Sequence, residues 1–137
     1  MAKDEKIKGR FALFCDYALT SSDGKLSILG EFDQLNSTND NPHLHKGFLV
    51  ASFNGEEQAD ASIDVKLSDP KDENVLFKGT FNIKFSPNGR ANIMIEFGNL
   101  QFKNFGVYEA DFSSSGKSII KTQIKVVKIT QTPPVQA

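Results

Sequence analysis

Apolar and polar residues alternate with a period of two through almost the whole of the 137-residue chain. No window of about 11 to 18 residues keeps the i, i+3, i+4, i+7 spacing of an amphipathic helix. Because successive side chains of a strand point to opposite faces, this pattern predicts an all-β protein. The predicted strands, each bounded by Gly, Pro, Asn, Asp or Ser, span about residues 8–19, 25–35, 46–54, 60–69, 74–85, 90–97, 105–113 and 117–129.

Strand number and spacing favour two packed antiparallel sheets, and one stretch indicates an immunoglobulin-like, Greek-key sandwich. Leu100 precedes Gly106-Val107-Tyr108 at the start of a predicted strand. This arrangement resembles a tyrosine corner, in which the tyrosine hydroxyl bonds back to the backbone of the connection between the sheets. The polar loop 36–42 is predicted to cross between the sheets. A closed barrel is the alternative architecture.

The length of the chain predicts a single domain, residues 1–137, that folds without a metal or a disulfide. Its ordered core is expected over about 7–129, with flexible tails on either side. The formal charge of −1 provides no overall field that would draw the protein onto nucleic acid or an anionic membrane. No signal-peptide segment and no membrane span are evident, and Cys15 is the single cysteine, so a cytoplasmic protein is predicted.

The first hairpin determines which residues of the N-terminal strands face the core. If Asp23-Gly24 forms a two-residue loop, Asp16 lies directly opposite Glu31. The buried face then contains Phe11, Leu13, Cys15, Tyr17 and Leu19 with Leu26, Ile28 and Phe32.

The opposite face of the first three strands also carries apolar residues, unlike the later strands, which have one apolar and one polar face. Contiguous exposed apolar patches commonly mark interaction sites, so this outer face is the predicted protein interface. Its predicted members are Phe14, Asp16, Leu29, Glu31, Asp33, Leu49 and Phe53.

Two groups of residues are candidate metal ligands. The carboxylates Asp16, Glu31 and Asp33 could hold a hard cation, although neutralisation by Lys, Arg or backbone N–H groups is favoured. His43 and His45 lie two residues apart, so both imidazoles could face the same side of a strand and chelate zinc or copper. Two ligands do not complete a site, and the sequence predicts neither a metal nor a cofactor.

No complete catalytic set is present, so an enzyme is not predicted. Cys15 lies in an apolar strand beside carboxylates, which favours a buried and inert thiol. Lys121 and Lys125 of the last strand lack the interleaved aromatic residues that nucleic-acid-binding sheets use.

The predicted function is a non-enzymatic protein-interaction or structural module, self-associating or part of a larger assembly. The alternative is a sandwich that binds a small ligand or carbohydrate, with a divalent cation at the carboxylates. The chain has no Trp and only two Tyr, both predicted to be buried, which disfavours carbohydrate.

The last hairpin gives a register that the structure can test. Tyr108, Ala110 and Phe112 are expected to share the buried face with Ile120, Ile124 and Val126. A three-residue loop, residues 114–116, would then place Glu109 opposite Lys121.

The opening of the chain and its last hairpin contain a set of recognisable residues. These are Phe11-Ala12-Leu13, Asp16, Asp23-Gly24-Lys25-Leu26, Ile28, Gly30 and Phe32-Asp33, with the Gly-x-Tyr of Gly106 and Tyr108. On these residues the chain resembles a family of small bacterial and phage-borne proteins, catalogued only as a domain of unknown function. The resemblance is firm over residues 11–35 and loose elsewhere, and it implies a β-sandwich and no particular activity.

Overall fold

The computed structural model describes residues 7–71 and 73–130, and the predicted flexible tails, apart from Thr130, lie outside these residues. Within them the chain forms nine strands. These are β1 (Lys8–Thr20), β2 (Leu26–Phe32), β3 (Gln34–Ser37), β4 (His43–Asn54), β5 (Asp60–Ser68), β6 (Val75–Lys84), β7 (Arg90–Gln101), β8 (Gly106–Ser114) and β9 (Lys117–Lys128).

The strands form two sheets, which confirms the predicted β-sandwich. One sheet has the order β2-β1-β4-β7 and the other has the order β3-β9-β8-β5-β6. Neighbouring strands are antiparallel except for the pair β3–β9, which is parallel. The order β9-β8-β5-β6 corresponds to the G, F, C and C′ strands of an immunoglobulin variable-type sheet.

The predicted strand 25–35 is two strands that belong to different sheets. The chain leaves the four-stranded sheet after β2, passes through Asp33 and enters the five-stranded sheet as β3. Phe32 and Leu35 both pack against the core. Residues three positions apart on one regular strand would point to opposite faces, so the alternation of inward and outward side chains shifts by one residue at this crossing. The following loop returns the chain to β4 in the first sheet, as predicted.

The core lies between the sheets and contains three residues that were expected to face outward. Phe14, Leu49 and Phe53 are fully buried there, so their assignment to an exposed interface is wrong. They pack among side chains of the facing sheet. These include Ile63, Val65, Leu67, Tyr108, Ala110, Phe112, Ile124 and Val126.

The turn of the first hairpin explains this error. Ser21 N–H donates to the Lys25 carbonyl at 2.8 Å, and Gly24 N–H donates to the Ser21 carbonyl at 2.9 Å. The loop therefore has three residues, 22–24, and Gly24 takes the left-handed conformation that ends it, with a φ of 86°. A shift of one residue pairs Phe14 with Phe32, so β1 turns its other face to the core while Phe32 stays on the core side.

The last hairpin has the predicted faces but a different register. Ser115 and Gly116 form a two-residue turn with φ values of 52° and 78°, which shifts the pairing by one position. The bulge between Phe112 and Ser113 shifts it by one more, so Glu109 lies opposite Gln123 and the buried side chains still share one face. Lys121 Nζ nevertheless lies 3.6 Å from Glu109 Oε1, as a diagonal rather than a directly opposite pair.

The tyrosine corner is confirmed. The Tyr108 hydroxyl donates to the Asn104 carbonyl at 2.6 Å and accepts from the Asn104 N–H at 2.9 Å. The Tyr108 ring packs edge-on against Phe102 with ring centroids 4.9 Å apart. These contacts fix the connection by which the chain passes from β7 in one sheet to β8 in the other.

Candidate functional site

The four-stranded sheet is apolar on both faces. The pair Phe14–Leu49 faces the core, whereas the next pair, Cys15–Phe48, belongs to a second cluster on the outer face. The buried members of this outer cluster are Cys15, Ala18, Phe48 and Val50, with Phe11, Leu13, Leu26 and Ile28 packed against them. The prediction of a second apolar face on the N-terminal strands therefore holds, although its residues differ.

The end of the β1–β2 hairpin folds over this outer face. Thr20 Oγ1 lies 3.8 Å from Met94 Sδ, although β4 separates β1 from β7 in the sheet. Ala18 and its cross-strand partner Ile28 pack on the outer cluster. Each lies four positions from a residue of the core-facing pair Phe14–Phe32, so regular alternation would have turned both towards the core. The hairpin therefore bends, and we call residues 17–29, which lie beyond the bend, the hairpin arm.

Asp16 and Gly30 form the bend. They lie opposite each other between the pairs Cys15–Glu31 and Tyr17–Leu29, and Gly30 has a φ of 69°. A Cβ at Gly30 would come within 2.4 Å of Asp16 Oδ2, so the aspartate side chain lies directly against the glycine. Asp16 therefore faces Gly30 rather than Glu31, which corrects the predicted pairing.

The hairpin arm carries three exposed apolar side chains, Tyr17, Leu19 and Leu29, which we call the arm patch. They are 43%, 39% and 62% exposed, respectively. The Tyr17 ring also packs edge-on against Phe48, with ring centroids 5.5 Å apart. Tyr17 and Leu29 are direct cross-strand partners. Leu29 was predicted on the surface, but Tyr17 was predicted to be buried and Leu19 was assigned to the core. The signal for this difference is Gly30, because a glycine inside a strand often marks a bend.

The three predicted carboxylates are exposed on the surface. Asp16 at the bend and Glu31, two residues beyond Leu29 on β2, adjoin the arm patch, whereas Asp33 follows β2 and lines a pocket with Lys125 of β9. No Lys, Arg or His among residues 7–71 and 73–130 forms a salt bridge with any of them. The same residues contain no group of three or more His, Cys, Asp or Glu side chains placed to hold a metal ion.

Cys15 lies beneath the hairpin arm, fully buried in the outer cluster. Burial is the main cause that raises the pKa of its thiol, and the charges of Asp16 and Glu31 raise it further. The thiol is therefore protonated at neutral pH. Its burial agrees with the sequence-based expectation, but it packs in the outer cluster and not in the central core.

A groove of about 1080 Å³ separates the hairpin arm from the β6–β7 turn. Arg10, Lys84 and Arg90 line it and make it basic, whereas Lys25, which also lines it, is paired with Asp23 at 3.5 Å. Asn92 also lines it, and its Oδ1 is buried without a hydrogen-bond partner among the described residues. Sequence reasoning missed this groove because residues far apart along the chain form it, and no local pattern joins them.

His43 and His45 share one face at the start of β4, as the sequence predicted. Their Nε2 atoms are 3.1 Å apart, and the rings meet edge to face with centroids 4.2 Å apart. His43 Nδ1 lies 3.4 Å from the Asn41 carbonyl oxygen. The pair stands at a separate shallow pocket, away from the hairpin arm, with Asn36 and Asn39 on its rim.

Solved structures share this fold at low sequence identity. An immunoglobulin-like protein from Pseudomonas aeruginosa is 9% identical over 91% of this chain and 99% of its own, with a TM-score of 0.48. A β-glucosidase from Listeria innocua, solved with glucose, is 9% identical over 89% of this chain, with a TM-score of 0.50. The alkylpurine DNA glycosylase AlkC from Pseudomonas fluorescens, bound to DNA containing an abasic site analogue, is 8% identical over 89%, also at 0.50.

The present chain spans only 16% of the β-glucosidase and 30% of the glycosylase, so these two similarities show the fold alone. No curated protein matches the sequence. The described part of the chain has no helix that is long and apolar enough to cross a membrane. A family of unknown function, DUF6941, matches residues 10–127, which include both sheets, the tyrosine corner and the hairpin arm. The chain therefore belongs to the DUF6941 family.

Proposed function

We propose that this protein is a non-enzymatic, cytoplasmic interaction module that binds another protein through the arm patch. One observation carries the proposal: Tyr17, Leu19 and Leu29 are exposed together on a folded-over hairpin. Aromatic residues are enriched at the centres of protein interfaces, where apolar side chains lose contact with water on binding. The arm patch therefore supplies the apolar centre of an interface.

The neighbouring charges define the kind of partner. Asp16 and Glu31 are exposed and form no salt bridge within the described residues. A symmetric dimer through the arm patch would bring these carboxylates close to their own copies, which is unfavourable. A different protein that presents Lys or Arg around an apolar contact is complementary to this surface.

The proposal is tested by affinity capture with the purified protein as bait, followed by binding measurements on the captured protein. The Leu29→Glu variant places a charge in the centre of the arm patch and is expected to abolish binding. Val75→Glu is the matched control, because Val75 is 45% exposed on β6 of the other sheet. Glu31→Lys is expected to weaken binding, and wild-type affinity should fall as salt rises.

The outcomes separate the possible interfaces. Loss of binding in Val75→Glu with full binding in Leu29→Glu would move the interface to the five-stranded sheet and refute the proposal. A wild-type dimer in light scattering that Leu29→Glu converts to a monomer would show self-association instead.

The basic groove supports a second candidate function, the binding of a small anionic ligand. Arg10, Lys84 and Arg90 line it from three strands, and their positive charges attract an anion. The three surface carboxylates lie outside the groove, so a cation bound by them is not part of this candidate. Titration with inorganic phosphate, followed by NMR, should shift groove resonances in the wild type and not in Arg90→Gln.

A further inference from the structure

We propose that His43 and His45 form a two-nitrogen chelate for a divalent transition-metal ion such as Ni²⁺, Cu²⁺ or Zn²⁺. Imidazole nitrogens suit these three ions. The site is independent of the proposed protein interface, since it lies at the start of β4 and not on the hairpin arm.

The distance between the two rings fits a bound ion. Zinc–nitrogen bonds are about 2.0–2.1 Å long, so two nitrogens on one ion lie roughly 2.9–3.4 Å apart for bond angles between square and tetrahedral. The Nε2 atoms of His43 and His45 are 3.1 Å apart. The strand therefore already holds both nitrogens at the span of a chelate, which reduces the side-chain entropy lost on binding.

The contact of His43 with the backbone favours the required tautomer. A protonated Nδ1 can donate to the Asn41 carbonyl, 3.4 Å away, and this leaves the lone pair on Nε2, the atom that faces His45. Metal-binding histidines commonly use their second nitrogen in this way. Without a metal, a neutral His45 can donate its Nε2 proton to His43. Binding of an ion requires that proton to move to Nδ1, so that both Nε2 lone pairs face the ion.

The remaining coordination positions are open to solvent. His45 is exposed and His43 half-buried. Among the described residues, Lys46 is the one Lys, Arg, Asp or Glu that lines the pocket, and its charge is paired with Glu96 at 3.7 Å. Water or an external ligand would fill the positions that the two imidazoles leave. The arrangement is therefore a surface chelate and not a closed structural site.

The experiment uses the untagged protein, because His43 and His45 are its only two histidines. Retention on immobilised Ni²⁺ and calorimetric titration with free Ni²⁺ should show binding by the wild type. The matched control exchanges His45 with an exposed lysine of β5, His45→Lys with Lys66→His, which preserves the composition. Because β4 and β5 belong to different sheets, the exchanged protein has its two imidazoles on different sheets.

We expect His43→Asn, His45→Asn and the exchanged protein each to lose retention and at least tenfold in Ni²⁺ affinity, with unchanged circular dichroism. Equal affinity of the exchanged protein and the wild type would overturn the proposal, as would full retention by either single variant. Binding of one ion by two chains would support it, since each chain would then contribute a pair. Melting temperature is a poorer measure, because the unfolded chain keeps the same local His-Leu-His segment and can also bind.

Discussion

The two β-hairpins at the ends of the chain differ in how strongly their sequences define them. In β8–β9 the alternation is strict, with Tyr108, Ala110 and Phe112 buried and Glu109 and Asp111 on the other face. In β1–β2 both faces carry apolar residues, because one face meets the core and the other meets the outer cluster. When both faces of a strand are apolar, the alternation does not show which face meets the core, and the length of the turn decides it.

The consequences of a misjudged turn differ accordingly. In β8–β9 the predicted pairing is displaced by two positions, so every side chain remains on its predicted face. In β1–β2 the displacement is one position, and Phe14 moves from the predicted surface to the core. One residue of loop length thus decides whether this hairpin supplies a core residue or an interface residue.

The largest expected effect tests whether Phe14 belongs to the core as firmly as Phe112 does. Phe14→Ala and Phe112→Ala should each lower the free energy of unfolding by about 3–5 kcal/mol, because both rings are fully buried. Urea denaturation followed by circular dichroism measures this. A loss below about 0.5 kcal/mol for Phe14→Ala, typical of a surface position, would restore the original assignment of the faces.

Two glycines with positive φ provide the next comparison. Gly30→Ala and Gly116→Ala should both cost about 1–2 kcal/mol through the left-handed backbone. Gly30→Ala should cost roughly 1–3 kcal/mol more, because a Cβ there meets Asp16, whereas nothing lies within 4 Å at Gly116. In a double-mutant cycle, Asp16→Ala should recover much of this excess. Equal losses at both glycines would argue against the bend.

The third comparison is between the hydroxyl group of Tyr108, which is hydrogen-bonded in the tyrosine corner, and that of Tyr17, whose side chain is exposed. Tyr108→Phe should destabilise the protein by about 1–3 kcal/mol, because both bonds to Asn104 are lost. Tyr17→Phe should change stability by less than about 0.5 kcal/mol, as expected for an exposed side chain. Thermal or urea unfolding of both variants makes the comparison, and similar losses would contradict the tyrosine corner.

The smallest effect concerns the thiol of Cys15 under the hairpin arm. Burial raises the pKa of the Cys15 thiol, so the protonated thiol makes its full contribution to the free energy of unfolding at neutral pH. This contribution is lost as the pH rises above about 8.5, the usual thiol pKa in unfolded chains, towards the higher value of the folded state. Unfolding measured at pH 7 and pH 9.5 should therefore show a small decrease that Cys15→Ala removes. A decrease of the same size in the variant would assign it to other groups.

Most of the fold could be predicted because alternation and turn residues are local signals. The crossing at Asp33 was missed because Phe32 and Leu35 look like one strand unless the change of phase between them is noticed. The pairing of His43 with His45 was predicted from their spacing, but the distance between their nitrogens required the structure. The basic groove could not be predicted, since Arg10 and Arg90 line it from β1 and β7, which are far apart along the chain and lie on either side of β4 in the sheet.

The parallel pairing of β3 with β9 has a consequence for synthesis on the ribosome. Gln34 pairs with Lys125, so the edge of the five-stranded sheet cannot close until the last strand has emerged. At translation rates of about 5–20 residues per second, Lys125 is synthesised roughly 5 to 18 seconds after Gln34. During that interval the backbone hydrogen-bonding groups of β3 are open to other chains, and nearby Asp33 and Asp40 place negative charges where a nascent chain would otherwise be prone to aggregate.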